Sequence, residues 1–155
     1  MMIYQDYLDT PIGVLAIRAN EKAVINVCFI ESCSQTVNGN AVTQACKLQL
    51  KEYFDGTRKT FHLCLENTGT QFQTQVWNAL SSIPFGQVAS YQDIAIKINN
   101  PNAVRAVGTA NGKNPHTIIV PCHRVIGSNG TLTGYAGGLN RKQWLLAHEA
   151  RWFSH

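Results

Sequence analysis

The chain has 155 residues, of which 45% are apolar and 14% charged, and a formal net charge of +4. That balance excludes a disordered polypeptide, and no apolar run approaches the ~18 residues of a membrane span. A chain of this length buries roughly two thirds of its unfolded surface, so it needs neither disulfides nor a metal to fold.

The elements follow in chain order. Residues 3–8 and 14–19 are short apolar-rich stretches separated by the turn signal Thr10-Pro11-Ile12-Gly13, and residues 23–30 form a third strand candidate. Residues 31–40 read as a polar loop. Apolar residues at 42, 46, 50, 53 and 54 have helical spacing, and Asp55-Gly56 ends that helix. Phe61, Leu63 and Leu65 alternate with His62 and Cys64, which predicts a last strand; residues 66–70 are a linker candidate. Phe72, Val76, Trp77 and Leu80 predict a helix that Ile83-Pro84-Phe85-Gly86 breaks. Ser90-Tyr91-Gln92-Asp93 has the form of a capping box, so a helix starts near Tyr91 and stops before Asn99-Asn100-Pro101. Asn100 is the expected cap of the next helix, running from Asn102 to about Asn111, and the two make a helix-turn-helix. Residues 117–120 read as a buried strand, Asn129-Gly130 as a hairpin turn, residues 134–138 as a flexible loop and residues 140–148 as the last helix. The expected fold class is α+β in two parts: residues 1–70, a small sheet with a helix, and residues 71–155, mostly helical.

Charge changes at the same boundary. Residues 1–70 carry six Lys/Arg against seven Asp/Glu, a balance of −1, whereas residues 71–155 carry seven against two, a balance of +5. A basic half beside a near-neutral one points to an anionic partner or to a solvated basic face. Five cysteines at irregular spacing (28, 33, 46, 64 and 122) with no C-x-x-C pair, and a start with no basic or long apolar segment, fit a reduced, intracellular protein without a secretory signal. Cys28, Cys33, His62 and Cys64 match no structural zinc spacing, so no metal site is expected.

Cys122 is the most informative residue. It follows a proline and precedes His123 and Arg124. An imidazole that takes the thiol proton raises the nucleophilic fraction, and cationic neighbours stabilise the sulfur anion. Adjacent side chains of an extended segment point apart, so Cys122 and His123 require a turn or a bridging water. His123 also needs an orienting carboxylate, and the second half offers only Asp93 and Glu149. From Cys-His-Arg alone, a nucleophile and a buried packing cysteine both remain open. The second helix of the expected motif is rich in small residues, with Arg105 as its one long cation; this suits either close approach to a nucleic-acid groove or close helix packing.

Several segments together resemble one family. Pro121-Cys122-His123-Arg124-Val125, Phe85-Gly86-Gln87-Val88-Ala89-Ser90-Tyr91, Ala103-Val104-Arg105-Ala106-Val107-Gly108, Asn114-Pro115, Gly134-Tyr135-Ala136-Gly137-Gly138 and Trp144-Leu145-Leu146-Ala147-His148-Glu149 are similar to segments of the O6-alkylguanine-DNA alkyltransferases (methylated-DNA–protein-cysteine methyltransferases), in family order over nearly all of residues 72–150. Residues 1–70 resemble the family's N-terminal domain only in layout, which implies a ribonuclease H-like sheet. The resemblance implies that the protein binds double-stranded DNA containing O6-alkylguanine, with O4-alkylthymine a second candidate. It would flip the damaged base and transfer the alkyl group irreversibly to Cys122, as a monomer, once per molecule and with no cofactor. Glu149, His123 and a water would form the relay to Cys122, Asn114 would brace its turn, and the Tyr91 hydroxyl would approach guanine N3. Arg105 would intercalate, with Ala106, Gly108, Ala110 and Ser90 at the DNA. Tyr135, Ala136 and Val125 would line the pocket. Competing readings are a lesion binder without transfer, a cysteine hydrolase and a regulatory DNA-binding protein. The resemblance also places the protein in the cytoplasm on nucleoid DNA, or in the nucleus of a eukaryote.

Overall fold

The computed structural model describes residues 2–31 and 36–154. Cys33, weighed above as a polar-loop cysteine, lies outside the described residues. The chain forms two compact units: Met1–Asn67 with Pro115–Ile119, and Thr68–Asn114 with Val120–His155. The single division expected near residue 70 is thus joined by a second excursion of the chain at residues 115–119.

The first unit is an antiparallel sheet of β1 (Tyr4–Thr10), β2 (Gly13–Ala19) and β3 (Val24–Ile30), with α1 (Ala41–Asp55) packed on it. The Thr10–Gly13 connection is tight. Thr10 Oγ1 donates to the Gly13 carbonyl at 2.6 Å, and Gly13 takes a φ of 124°, a conformation open to glycine. This turn fixes the register Tyr4↔Ala19 through Thr10↔Gly13, which sends Leu15 and Ile17 of β2 into the core. Helix α1 begins in a reciprocal cap between Asn40 and Thr43 and ends at Gly56 with φ 84°. Its Cys46, Leu50 and Tyr53 are fully buried.

Two expected strands are corrected. Residues 61–65 form only one bridge, Val24↔Leu65, because Phe61 and Leu63 are half-buried and the chain meets the sheet edge only at its end. Residues 117–120 also fail to continue as a strand. Val27 N donates to the Pro115 carbonyl at 2.9 Å and Thr117 N to the Val27 carbonyl at 3.1 Å, after which Ile118 takes a φ of 73°. A β-branched residue in the left-handed region is strained, and here it turns the chain out of the ladder while its side chain stays buried.

The second unit packs α2 (Gln71–Leu80), α3 (Tyr91–Lys97) and α4 (Val104–Gly112) against one another. A two-residue parallel pair, β4 (Ala89–Ser90) and β5 (Val125–Ile126), joins them, and α5 (Leu139–Trp152) follows. Val76, Trp77, Leu80, Ile94, Val107, Val120 and Val125 make the core. Both α2 and α3 start in capping boxes, Thr70 with Gln73 and Ser90 with Asp93. Helix α4 starts later than the sequence suggests. Ala103 N donates to the Asn100 carbonyl, so Pro101 and Asn102 are spent in a turn, and Ala103 caps the helix without a side-chain bond. Asn129-Gly130 does make a turn, closed by Gly127 N on the Thr131 carbonyl. It joins no antiparallel hairpin, because β5 pairs in parallel with β4. Helix α5 runs four residues beyond the expected end.

The Ser90 cap gives a modest test of this local structure. Ser90→Ala removes the acceptor for Asp93 N, now at 3.0 Å, and is expected to cost about 1 kcal/mol, read as a lower urea midpoint at unchanged slope.

Candidate active site

Cys122, His123 and Arg124 form a single 3-10 turn between Val120 and β5. The segment is thus a turn and not the extended stretch in which neighbouring side chains point apart. Cys122 is 5% exposed and His123 fully buried. Asn114 Nδ2 donates to the Val120 carbonyl at 2.7 Å and the same side chain hydrogen-bonds the Cys122 thiol. Asn111 Nδ2 reaches the Cys122 carbonyl at 3.4 Å. Two asparagines, Asn111 in the last turn of α4 and Asn114 just beyond it, therefore hold the reactive turn.

Helix α5 supplies the other side. Glu149 Oε2 accepts from His123 Nε2 at 2.6 Å. Arg124 donates to both carboxylate oxygens, from Nε at 2.7 Å and Nη2 at 3.0 Å, and its Nη1 donates to the Ile83 carbonyl at 2.7 Å. Gly86 N adds a longer bond to Glu149 Oε1 at 3.3 Å. Gly86 has to be glycine: its φ is 80°, and a Cβ there would lie 2.3 Å from the Phe153 ring. Burial alone would raise the Glu149 pKa. The hydrogen bonds from His123 and Arg124, with the permanent Arg124 charge, outweigh it and hold the carboxyl well below its ordinary range. An ionised Glu149 can only accept, so His123 carries its proton on Nε2. Nδ1 is then left as the basic nitrogen, buried and without a partner among the described residues. Burial also lowers the His123 pKa, against the pull of Glu149, so the ring is a neutral base at neutral pH.

The sulfur is less acidic than the sequence suggests. Burial pushes the Cys122 thiol up, opposed by the Asn114 hydrogen bond and the Lys142 charge. In the DNA-free protein the thiol is therefore protonated. Lys142 adjoins the site, although the sequence analysis counted it only among the seven cations of residues 71–155. It is fully buried, and Nζ donates at 2.6 Å to the carbonyls of both Val125 and Thr133. Its signal was available: Lys142, Leu145 and Glu149 fall at i, i+3 and i+7, on the inward face of α5.

The remaining expected residues are distributed as follows. Tyr91, at the start of α3, donates its hydroxyl proton to the Thr133 carbonyl at 3.1 Å. The Tyr135 ring is half-buried and its hydroxyl has no partner among the described residues. Val125 is buried and Ala136 exposed. On α4, Arg105 and Ala106 are exposed and Gly108 is half-exposed. Ala110 turns instead into the core, 2% exposed, where its carbonyl accepts from Trp77 Nε1 at 2.9 Å. The Ser90 hydroxyl is engaged as the α3 cap. A groove of about 600 Å³ runs between the start of α2 and α4, lined by Thr70, Phe72, Gln73, Ala103, Arg105 and Ala106 among others. Among the described residues no group of three His, Cys, Asp or Glu could hold a metal ion.

Known proteins resemble this chain over most of its length. The profile of the 6-O-methylguanine DNA methyltransferase DNA binding domain matches residues 71–151, and that of the ribonuclease-like domain of the same proteins matches residues 3–66. The methylated-DNA–protein-cysteine methyltransferase of Methanosarcina barkeri is 43% identical over 153 residues, covering 95% of this chain and 97% of the relative. That of Mycolicibacterium paratuberculosis is 45% identical over 156 residues, covering 97% and 94%. A crystal structure of Mycobacterium tuberculosis O6-methylguanine methyltransferase aligns with a TM-score of 0.88 at 43% identity, over 97% of this chain and 94% of that one. The Mycobacterium tuberculosis OGT in complex with DNA gives a TM-score of 0.87 at 43% identity, over 97% and 93%. With both halves matched at this level, the chain belongs to the methylated-DNA–protein-cysteine methyltransferase family.

Proposed function

We propose that this protein acts as a monomer on duplex DNA containing O6-alkylguanine, rotates the damaged base out of the stack and takes its alkyl group onto Cys122, once per molecule and without a cofactor. The observation that carries the reading is the buried chain of contacts from Glu149 to His123 beside Cys122, with Nδ1 left as the free basic nitrogen.

The chemistry follows from that arrangement. As the alkyl carbon comes in line with the sulfur, the thiol proton passes through one water to His123 Nδ1. Glu149 holds the ring by its Nε2 proton and stabilises the imidazolium. The S–C bond forms as the C–O6 bond breaks, the electron pair goes to the base, and a proton taken up at N1 restores guanine. The Lys142 charge favours the sulfur anion at that moment. The Tyr91 hydroxyl, released from Thr133, donates to guanine N3, and the Val125 carbonyl accepts from the amino group. Tyr135 and Ala136 wall the pocket. A thioether does not leave sulfur at neutral pH, so one protein repairs one lesion.

DNA is held by α3 and α4 acting as a helix-turn-helix. Ala106 and Gly108 let the α4 backbone approach the groove, and Ser90 lies at its edge. Arg105 enters the stack where the base has left. Flipping costs a few kcal/mol, which an inserted side chain partly offsets. Arg105→Ala is therefore expected to slow transfer from duplex DNA about tenfold or more. Transfer from a free O6-alkylated base, which needs no flipping, should be unchanged. Equal slowing on both would remove Arg105 from the flipping step.

The test of the whole reading is intact-mass measurement after exposure to excess duplex carrying O6-methylguanine. One methyl group is expected per molecule, mapped to Cys122. More than one lesion repaired per protein, or a methyl group on another residue, would overturn it.

A further inference from the structure

Among the described residues, three buried side-chain polar atoms make no hydrogen bond within the protein: Asn111 Oδ1, His123 Nδ1 and Tyr135 OH. All three belong to side chains around Cys122. His123 follows it in the chain, Asn111 holds its carbonyl, and the Tyr135 hydroxyl is near enough to feel a charge on its sulfur. The proton transfer proposed above uses His123 Nδ1. Nothing assigned so far uses the Asn111 oxygen.

Asn111 is 2% exposed, at the last turn of α4. The Cys122 carbonyl can only accept, so the amide must present its NH2 group there and turn its oxygen away. That oxygen can do nothing but accept. Buried acceptors left without a donor are rare because each one costs stability. A brace for the Cys122 turn would not need one, since Asn114 already bonds both the Val120 carbonyl and the thiol. The oxygen is therefore placed for a donor that arrives with the substrate.

The reacting base has one such donor. Alkylation at O6 removes the N1 proton of guanine, so its Watson–Crick edge offers a lone pair at N1 and a single donor group, the 2-amino group, with one N–H for the Val125 carbonyl and a second left over. When the O6-alkyl carbon stands at the Cys122 sulfur, that same edge lies along the turn whose carbonyl Asn111 holds. We propose that Asn111 Oδ1 accepts a hydrogen bond from the 2-amino group of the flipped base and makes the site selective for guanine lesions. The inference rests on the repair reading above. Hypoxanthine alkylated at O6 and thymine alkylated at O4 lack this donor and would leave the oxygen unpaired.

The test compares single-turnover rates on two duplexes that differ only in the lesion, O6-methylguanine or O6-methylhypoxanthine, each opposite cytosine. The proteins are the unsubstituted chain, the near-isosteric Asn111→Leu, and Asn111→Ala as a second variant in case leucine does not pack. The same duplexes serve each protein, so differences in base pairing cancel, and each rate refers to the reactive fraction of one preparation. Both variants are expected to lose about tenfold on the guanine lesion and less than about twofold on the hypoxanthine lesion. Equal slowing on both, which loss of a mere brace would give, overturns the inference, as does no change on either. If the unsubstituted chain takes a methyl group from neither duplex, the repair reading itself fails.

Discussion

Cys122→Ala is expected to bind duplex DNA carrying O6-methylguanine and to acquire no methyl group over any period in which the unsubstituted chain is fully converted. The loss should be complete because, among the described residues, no other thiol is placed to stand in. Cys46 is sealed in the first unit, its pKa pushed up to about 12 by burial. Cys28 is also raised by burial, and Cys64 is exposed on residues far along the chain from the Cys122 turn. Removing one sulfur from a core position leaves the fold in place, so gel-shift and intact-mass measurements on one sample separate binding from transfer. A methyl group on the alanine variant would move the acceptor elsewhere. The unsubstituted chain should also show a telling pH profile. Its base is neutral His123, whose pKa burial lowers from 6.5. Transfer should therefore hold level to a pH below 6.5 and fall only in more acidic buffer.

Glu149→Gln should combine the largest stability loss with a slow reaction. The carboxylate compensates the Arg124 guanidinium, which is 6% exposed and also meets the Ile83 carbonyl and the face of the Phe85 ring, both uncharged. Removing one partner of a buried ion pair costs about 3–5 kcal/mol. For a chain of this size that lowers Tm by about 10 °C. The reaction should slow on the order of a hundredfold, as the imidazolium loses its counter-charge. Acid titration gives a second readout. The folded carboxyl titrates below its ordinary value of 4.5, so its ionisation contributes stability that is fully present above that pH and is lost as pH falls towards the depressed folded value. The glutamine variant should lack that component of the acid slope. A variant with unchanged Tm and an unchanged acid limb would show that the contacts of Glu149 carry no stability.

The elements that sequence pattern located well are those whose ends are fixed by side chains of their own. The Ser90–Asp93 box, the Gly56 cap and the Thr10–Gly13 turn are local devices, and each sits where its residues imply. What misled was apolar content whose role is decided elsewhere. Residues 117–120 have strand composition, yet Ile118 leaves the strand after pairing with Val27. Residues 61–65 alternate, but only one bridge to Val24 forms. In the site, residue chemistry posed Cys122 with His123 and a carboxylate from Asp93 or Glu149; the resemblance chose Glu149, and the structure pairs Glu149 with His123. The clasp of Arg124 on Glu149 and the burial of Lys142 were not legible, because a cation reads as surface until its acceptors are known. Asn111 was legible only as one polar residue among alanines; its meaning depends on which way the amide is turned.

The passage of residues 115–119 through the first unit has a practical result for anyone who trims this protein. Pro115 and Thr117 exchange backbone bonds with Val27, seven and five residues upstream of Cys122. A fragment beginning at Thr68 would leave both groups bare and free the stretch that leads into Val120 and Cys122. A protease cut in the connection near residue 67 should accordingly yield two pieces that co-elute on gel filtration and come apart only in denaturant.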